Sequence, residues 1–191
     1  MPGVRRRAVL YDAVILYQIT NGRAGDDVDA WLRGLSSRAD FIQIREAGLT
    51  TRELAELVRR VVGMGLRVLV NDRLDVALAA GAAGVHLRSG GMAAEVVRAV
   101  VPAGFVISVA CHGEADVRAA AGADYALLAP VFSPLSKQDN RVPLGLAELR
   151  RIAGLSEVPI LALGGITEAN AGVCVEAGAA GVAGISLFGC G

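Results

Sequence analysis

The sequence predicts an α/β fold of the TIM (β/α)8-barrel type with its eighth helix short or missing, and three observations predict it. An Ala-Gly-Ala turn followed by an apolar run occurs three times, in "AAGAAGVHL" (79–87), "AAGADYALL" (120–128) and "EAGAAGVAG" (176–184). Each reads as a helix closing on Gly81, Gly122 or Gly178 in the left-handed conformation that only glycine adopts cheaply, with a strand starting almost at once. Eight β-rich apolar segments alternate with helical patterns along the chain. These segments are apolar without interruption, the mark of strands buried on both faces in a parallel sheet covered by helices. Eight such units close most naturally into a barrel, with an open doubly wound sheet as the rival.

Taken in order, "LYQIT" opens the barrel as a strand over 15–20, and "FIQIRE" supplies the second over 41–46. Between the second and third strands, "TTRELAELVRRVVGM" places Leu54, Leu57, Val58 and Val61 at helical spacing. "RVLVNDRLD" carries the third strand over 67–72, and the glycine-terminated units deliver strands over 84–87, 125–132 and 181–186. "VISVACH" gives the fifth strand over 106–111, and "LALGGIT" ends the seventh over 160–165. Only "LFGCG" follows the eighth strand, so the helix that normally covers the first and eighth strands has no sequence to form it. Uncovered strand faces predict an interface, and hence a homodimer with Leu187 and Phe188 at or near the contact. The whole of 1–191 is expected to be one barrel domain.

Composition narrows the partners. A chain of 191 residues buries roughly 70% of the surface its unfolded form exposes, enough for a sizeable core. Nineteen basic residues balance nineteen acidic ones, so no global field points to nucleic acid or to anionic lipid. No apolar run reaches the ~18 residues of a membrane span, and Asp12 interrupts the one stretch that imitates a signal peptide. Cys111, Cys174 and Cys190 are odd in number and lack C-x-x-C spacing, which fits a reducing cytoplasm better than a disulfide framework or a zinc site. The expected partner is a small molecule.

Polar residues gather where the apolar strands stop. In a parallel barrel all C-terminal strand ends open on one face, so Gln43, Arg45, Asn71, Asp72, His86, Cys111 and His112 are expected around one mouth. Arg73 and Asp75 are better read as the solvated start of the next helix, where an acid is favoured by the helix dipole. Gly164 and Gly165 lie between the seventh strand and a helix, and Gly184 and Ser186 end the eighth. Glycine turns at those two loops let backbone N–H groups approach a phosphate. Lys137 is the only lysine in the chain and stands in the longest connection, "PVFSPLSKQDNRVPLG". A long loop with a lone ammonium reads as a lid offering its charge to an anionic substrate.

"QIRE", "VNDRLDVALAAGAAGVHL", "PVFSPLSK", "ALGGIT" and "GVAGIS" together resemble the thiamine phosphate synthase and TenI family, in order and over nearly the whole chain. The resemblance implies a barrel binding a thiazole phosphate. Synthases of the family join it to a hydroxymethylpyrimidine pyrophosphate and release magnesium-bound pyrophosphate, whereas some TenI relatives aromatise the thiazole by proton transfer. It also implies substrate binding by Gln43, Arg45, Asn71, Asp72, Ser136 and Lys137, and phosphate binding by Gly164, Gly165, Gly184, Ile185 and Ser186. Departures fall on the pyrimidine side: Ala47 stands for a lysine, Gly91 for a second metal-ligating aspartate, Ala110 for a serine and Pro134 for a threonine. Asp72 alone makes a weak magnesium site. The expectation is therefore a TenI-type tautomerase without a cofactor, with a magnesium-using synthase and a non-catalytic phosphate binder as alternatives. Pro130 stands where a tautomerase histidine would be, which leaves His112, Cys111 and Lys137 as the candidate catalytic groups.

Overall fold

The computed structural model describes residues 14–133 and 141–188. Eight parallel strands close into one barrel in sequence order, β1 (Ile15–Ile19), β2 (Phe41–Ile44), β3 (Val68–Asn71), β4 (Gly84–Leu87), β5 (Val106–Cys111), β6 (Tyr125–Leu128), β7 (Ile160–Ala162) and β8 (Gly181–Gly184). β8 returns to β1 through the pairs Ile15 with Gly181 and Tyr17 with Ala183, which closes the ring. Among the described residues seven helices lie between the strands: α1 (Val28–Arg33), α2 (Thr51–Gly63), α3 (Leu74–Ala79), α4 (Ala94–Arg98), α5 (Glu114–Ala119), α6 (Gly145–Leu155) and α7 (Glu168–Glu176).

Local chemistry sets these boundaries. Thr50 caps α2 and shares a capping box with Glu53, each satisfying the other's orphan backbone donor. Leu54, Leu57, Val58 and Val61 form its buried face, as their spacing predicts. Gly81, Gly122 and Gly178 stand at φ of 71°, 83° and 101°, the left-handed helix ends that the repeated turn requires.

Strand parity divides the core into layers. Tyr17, Phe41, Leu69, Val106, Leu127 and Leu161 fill the barrel interior. Their neighbours along each strand point outward, into one layer under α1 to α4 and another under α5 to α7. The barrel is thus packed and dry below, and ligand chemistry is confined to its C-terminal rim.

Four strands end two or more residues earlier than the apolar pattern suggests, β2 among them at Ile44 instead of 46. β6 stops at Leu128 instead of 132, because Pro130 has no N–H to extend the ladder. Val131 and Phe132 then bond sideways to the carbonyls of Leu163 and Gly164, at 2.8 and 3.0 Å. β7 stops at Ala162 rather than 165, ahead of Gly164 and Gly165 at φ of 94° and 63°. β8 stops at Gly184 instead of 186 and is followed by a single 3-10 turn, Ser186–Phe188. No eighth helix follows among the described residues. A groove of about 600 Å³ remains there, lined by Leu16, Ala171, Val182, Leu187 and Phe188 with Ser36, Arg38 and Glu168 at its polar side. Among the described residues no helix is long and apolar enough to cross a membrane.

Candidate active site

The rim is built from the ends of β2, β3 and β4. Gln43 sits opposite Leu69, and Asn71 opposite His86, so one pleat of each strand faces the same space. Gln43 is buried, and its Nε2 donates to Asn71 Oδ1 at 2.8 Å. Its Oε1 is the one buried side-chain polar atom among the described residues that has no partner. An acceptor stripped of water without a donor costs on the order of 1–3 kcal/mol, so this oxygen is set to receive a donor from a ligand or from water.

Asp72 follows Asn71 at φ 54°, the only non-glycine residue in the left-handed region among the described ones. Its N–H stays on the ladder, bonding the His86 carbonyl at 2.7 Å. Its carboxylate meets Arg88, Nε to Oδ2 at 3.3 Å. On the other side Arg45 leaves β2 with its N–H on Thr20 Oγ1 at 2.9 Å and its side chain exposed. Arg88 thus pairs with the Asn71–Asp72 corner, and the charge of Arg45 reaches as far as His86. Arg73 and Asp75 pair with each other at 2.7 Å at the head of α3, as the helix-start reading expects.

Beneath the rim lies a buried polar chain. His86 Nδ1 lies 2.9 Å from Ser108 Oγ, and Tyr17 OH lies 3.0 Å from the same oxygen. Burial, and secondarily the charge of Arg45, holds the His86 pKa down at about 3, so the ring is neutral. Burial likewise raises the Tyr17 phenol above its ordinary value. Tyr17 and Ser108 were not legible as site residues. The available signal was parity: Ser108 is the polar residue of β5 paired directly with His86. Glu46 is a second omission. Its carboxylate accepts from Trp31 Nε1, Gly22 N and Ala24 N at 3.1, 3.2 and 2.9 Å, fastening the loop that links β1 to α1.

The proton-transfer candidates fare differently. Cys111 does not line the mouth. It has opposite parity to Ser108, is fully buried in the layer under α5 to α7, and its thiol is pushed up to about 12 by burial and then by Asp116. His112 is exposed beyond β5, with Nδ1 2.9 Å from the Ala129 carbonyl and Nε2 2.6 Å from Arg141 Nη1. The same Arg141 Nη1 also lies 2.5 Å from Nδ1, so the guanidinium sits against both nitrogens of the exposed ring. Lys137 and Ser136 lie outside the described residues.

On the opposite side of the rim, the loops after β7 and β8 carry the glycine turns. A Cβ on Gly165 would come within 2.4 Å of the Ser133 carbonyl oxygen, and one on Gly164 within 2.7 Å of Pro130. These turns are pressed against the chain leaving β6. Their N–H groups donate to no acceptor among the described residues, which leaves them available to an anion. Ile185 and Ser186 are exposed at the end of β8.

Magnesium does not fit what is present. Magnesium keeps several waters and takes one or two free carboxylates beside the phosphates of a substrate. Asp72 is already paired with a guanidinium, Gly91 has no side chain, and no group of three potential ligands occurs among the described residues.

A family model described as thiamine monophosphate synthase matches residues 16–188. The chain is 42% identical to the thiamine-phosphate synthase of Methanoculleus marisnigri over 182 residues, covering 92% of this chain and 86% of that one. It is 40% identical to the thiamine-phosphate synthase of Roseiflexus castenholzii over 184 residues, covering 90% and 79%. Among solved structures, thiamine phosphate pyrophosphorylase from Pyrococcus furiosus superposes with a TM-score of 0.74 at 32% identity, covering 91% of this chain and 86% of that one. With its strand order, its rim motifs and these relatives in agreement, the chain belongs to the thiamine monophosphate synthase family.

Proposed function

We propose that the chain is a thiamine phosphate synthase, joining a hydroxymethylpyrimidine pyrophosphate to a thiazole phosphate. The tautomerase expectation yields to this alternative because the relatives carry synthase names and because Cys111 is fully buried in the layer under α5 to α7. The coupling itself needs no acid or base. The C–O bond between the pyrimidine methylene and pyrophosphate breaks with its electron pair leaving on oxygen. The thiazole nitrogen lone pair forms the new C–N bond, and the ring becomes a thiazolium. The protein must place the two rings, take up the negative charge on the leaving group and keep water out.

The observation that carries the reading is the unpartnered, buried Gln43 Oε1 beside Asn71. An aminopyrimidine offers an N–H donor to that acceptor; a thiazole has none to give. Arg45 and Arg88 offer cations to the leaving group on one side of the mouth, and the Gly164–Gly165 turn with Ile185 and Ser186 would hold the thiazole phosphate on the other.

The test is binding of hydroxymethylpyrimidine pyrophosphate by calorimetry. Saturable binding to the wild type, weakened about tenfold or more by Gln43→Leu, is expected from the loss of one buried hydrogen bond and the desolvation it leaves. Binding of thiazole phosphate alone, with none of the pyrimidine compound, would return the chain to the tautomerase reading.

A further inference from the structure

The Asp72 corner disagrees with a magnesium site in a specific way, and that disagreement points to what replaces the metal. Arg88 forms an ion pair with Asp72 through Nε, at 3.3 Å, and no other side-chain partner of Arg88 occurs among the described residues. The side chain is mostly exposed and stands over the rim. A guanidinium held by its Nε edge presents its remaining N–H groups as a fork, the geometry that matches two oxygens of a phosphate.

The sequence around Arg88 is shaped to allow this. Gly91 N–H bonds the Arg88 carbonyl at 3.1 Å, so "RSGG" folds into a tight turn. A Cβ on Gly91 would lie 3.0 Å from Arg88 Cγ and 3.1 Å from the Arg88 oxygen. An acidic side chain at 91 would thus press on the arginine stem and push it a few tenths of an ångström from its present place. Charge balances either way. Two carboxylates with a divalent ion sum to zero, and so do one carboxylate and one guanidinium. Nearby, Arg88, Ser89, Gly91, Ala110 and Asp116 line a cavity of about 140 Å³. The Asp116 carboxylate there is taken up by Ser89 Oγ at 3.0 Å and His112 N at 2.8 Å, which places an anion above Asp72 and Arg88 rather than inside that cavity.

From these contacts we infer that Arg88, oriented by Asp72 and accommodated by Gly91, binds the pyrophosphate group of the substrate directly, and that this chain needs no divalent ion at that position. The inference rests on the synthase reading for the identity of the substrate, but the anion site itself does not.

Calorimetry with inorganic pyrophosphate separates the two. In EDTA the wild type should bind pyrophosphate, and replacing EDTA by saturating magnesium should change the affinity by less than about threefold. Arg88→Ala should weaken binding in EDTA roughly ten- to a hundredfold, the loss of a charge-assisted hydrogen-bonded pair; Arg88→Lys should restore only part of it. Asp72→Asn keeps an oxygen for Arg88 Nε but removes a like charge, so it should leave the EDTA affinity equal or higher, whereas a metal ligand changed this way would abolish binding. The double variant Arg88→Gly, Gly91→Asp should bind only when magnesium is present. Circular dichroism of each variant guards against misfolding, which is not expected at an exposed side chain. Pyrophosphate binding by the wild type that requires magnesium, or an Arg88→Ala affinity equal to wild type in EDTA, would overturn the inference while leaving the synthase reading intact. Metal-free pyrophosphate binding without binding of the pyrimidine compound would sustain the anion site and count against the reading.

Discussion

His86 is buried with its ring nitrogen on Ser108, and its neutrality has a cost that only acid reveals. Its folded pKa of about 3 lies below the ordinary histidine value near 6.5. The unfolded chain therefore binds the extra proton first, and stability falls as pH drops from about 6.5 toward 3. Between pH 6.5 and 5 this single group should remove about 2 kcal/mol. Thermal melts of the wild type should show that decline, and His86→Gln should flatten it even if the variant is less stable throughout. An unchanged slope in the variant would mean that other groups set the acid response. Cys111→Ala gives the complementary residue-scale expectation: a small loss of stability from lost packing, with turnover within about twofold of wild type. A hundredfold fall in kcat at unchanged KM would make the thiol catalytic after all. Both residues show how far sequence reading carries at this scale. Their place near strand ends was visible, but which face they point to depends on parity against a partner strand, and that needs the register of β4 with β5.

At the scale of elements, the repeated glycine turns and the apolar runs located all eight strands, because burial on both faces leaves an unmistakable composition. The ends of β6 and β7 were less legible. Apolar residues continue past Leu128 as loop packing, and only the missing N–H of Pro130 separates ladder from loop. The phosphate side tests the loops directly. Gly165→Ala would force a side chain into φ 63° and to within 2.4 Å of the Ser133 oxygen, at a cost of about 1–3 kcal/mol. Thiazole phosphate should then bind at least tenfold more weakly, while its dephosphorylated analogue changes little. Equal losses for both compounds would show that the turn positions the ring and not the phosphate. On α2, Thr50→Ala removes the capping box and should cost about 1 kcal/mol, or about 2–4 °C in Tm for a domain of this size. No shift would mean that tertiary packing alone holds the helix start.

For the whole molecule, closure of the ring puts polar strand ends on one face and leaves β1 and β8 without a covering helix among the described residues. The groove beside Leu16, Val182 and Leu187 gives that gap a location. A homodimer formed there should sediment as such at micromolar concentration, and Leu187→Asp should shift it toward monomer. A wild-type monomer would show that the groove is covered within one chain. The proposed reaction needs the same closed ring, since the Gln43–Asp72 side of the mouth and the glycine turns after β7 and β8 share one face only when β8 returns to β1. Sequence motifs pointed to residues on both sides of the mouth, but the pairing of Asp72 with Arg88 and the empty acceptor on Gln43 required coordinates. The most direct measurement is mass spectrometry of the purified protein incubated with hydroxymethylpyrimidine pyrophosphate and thiazole phosphate. Thiamine phosphate and pyrophosphate should accumulate in equal amounts. Isomerisation of a non-aromatic thiazole precursor with no coupled product from the two substrates would contradict the account.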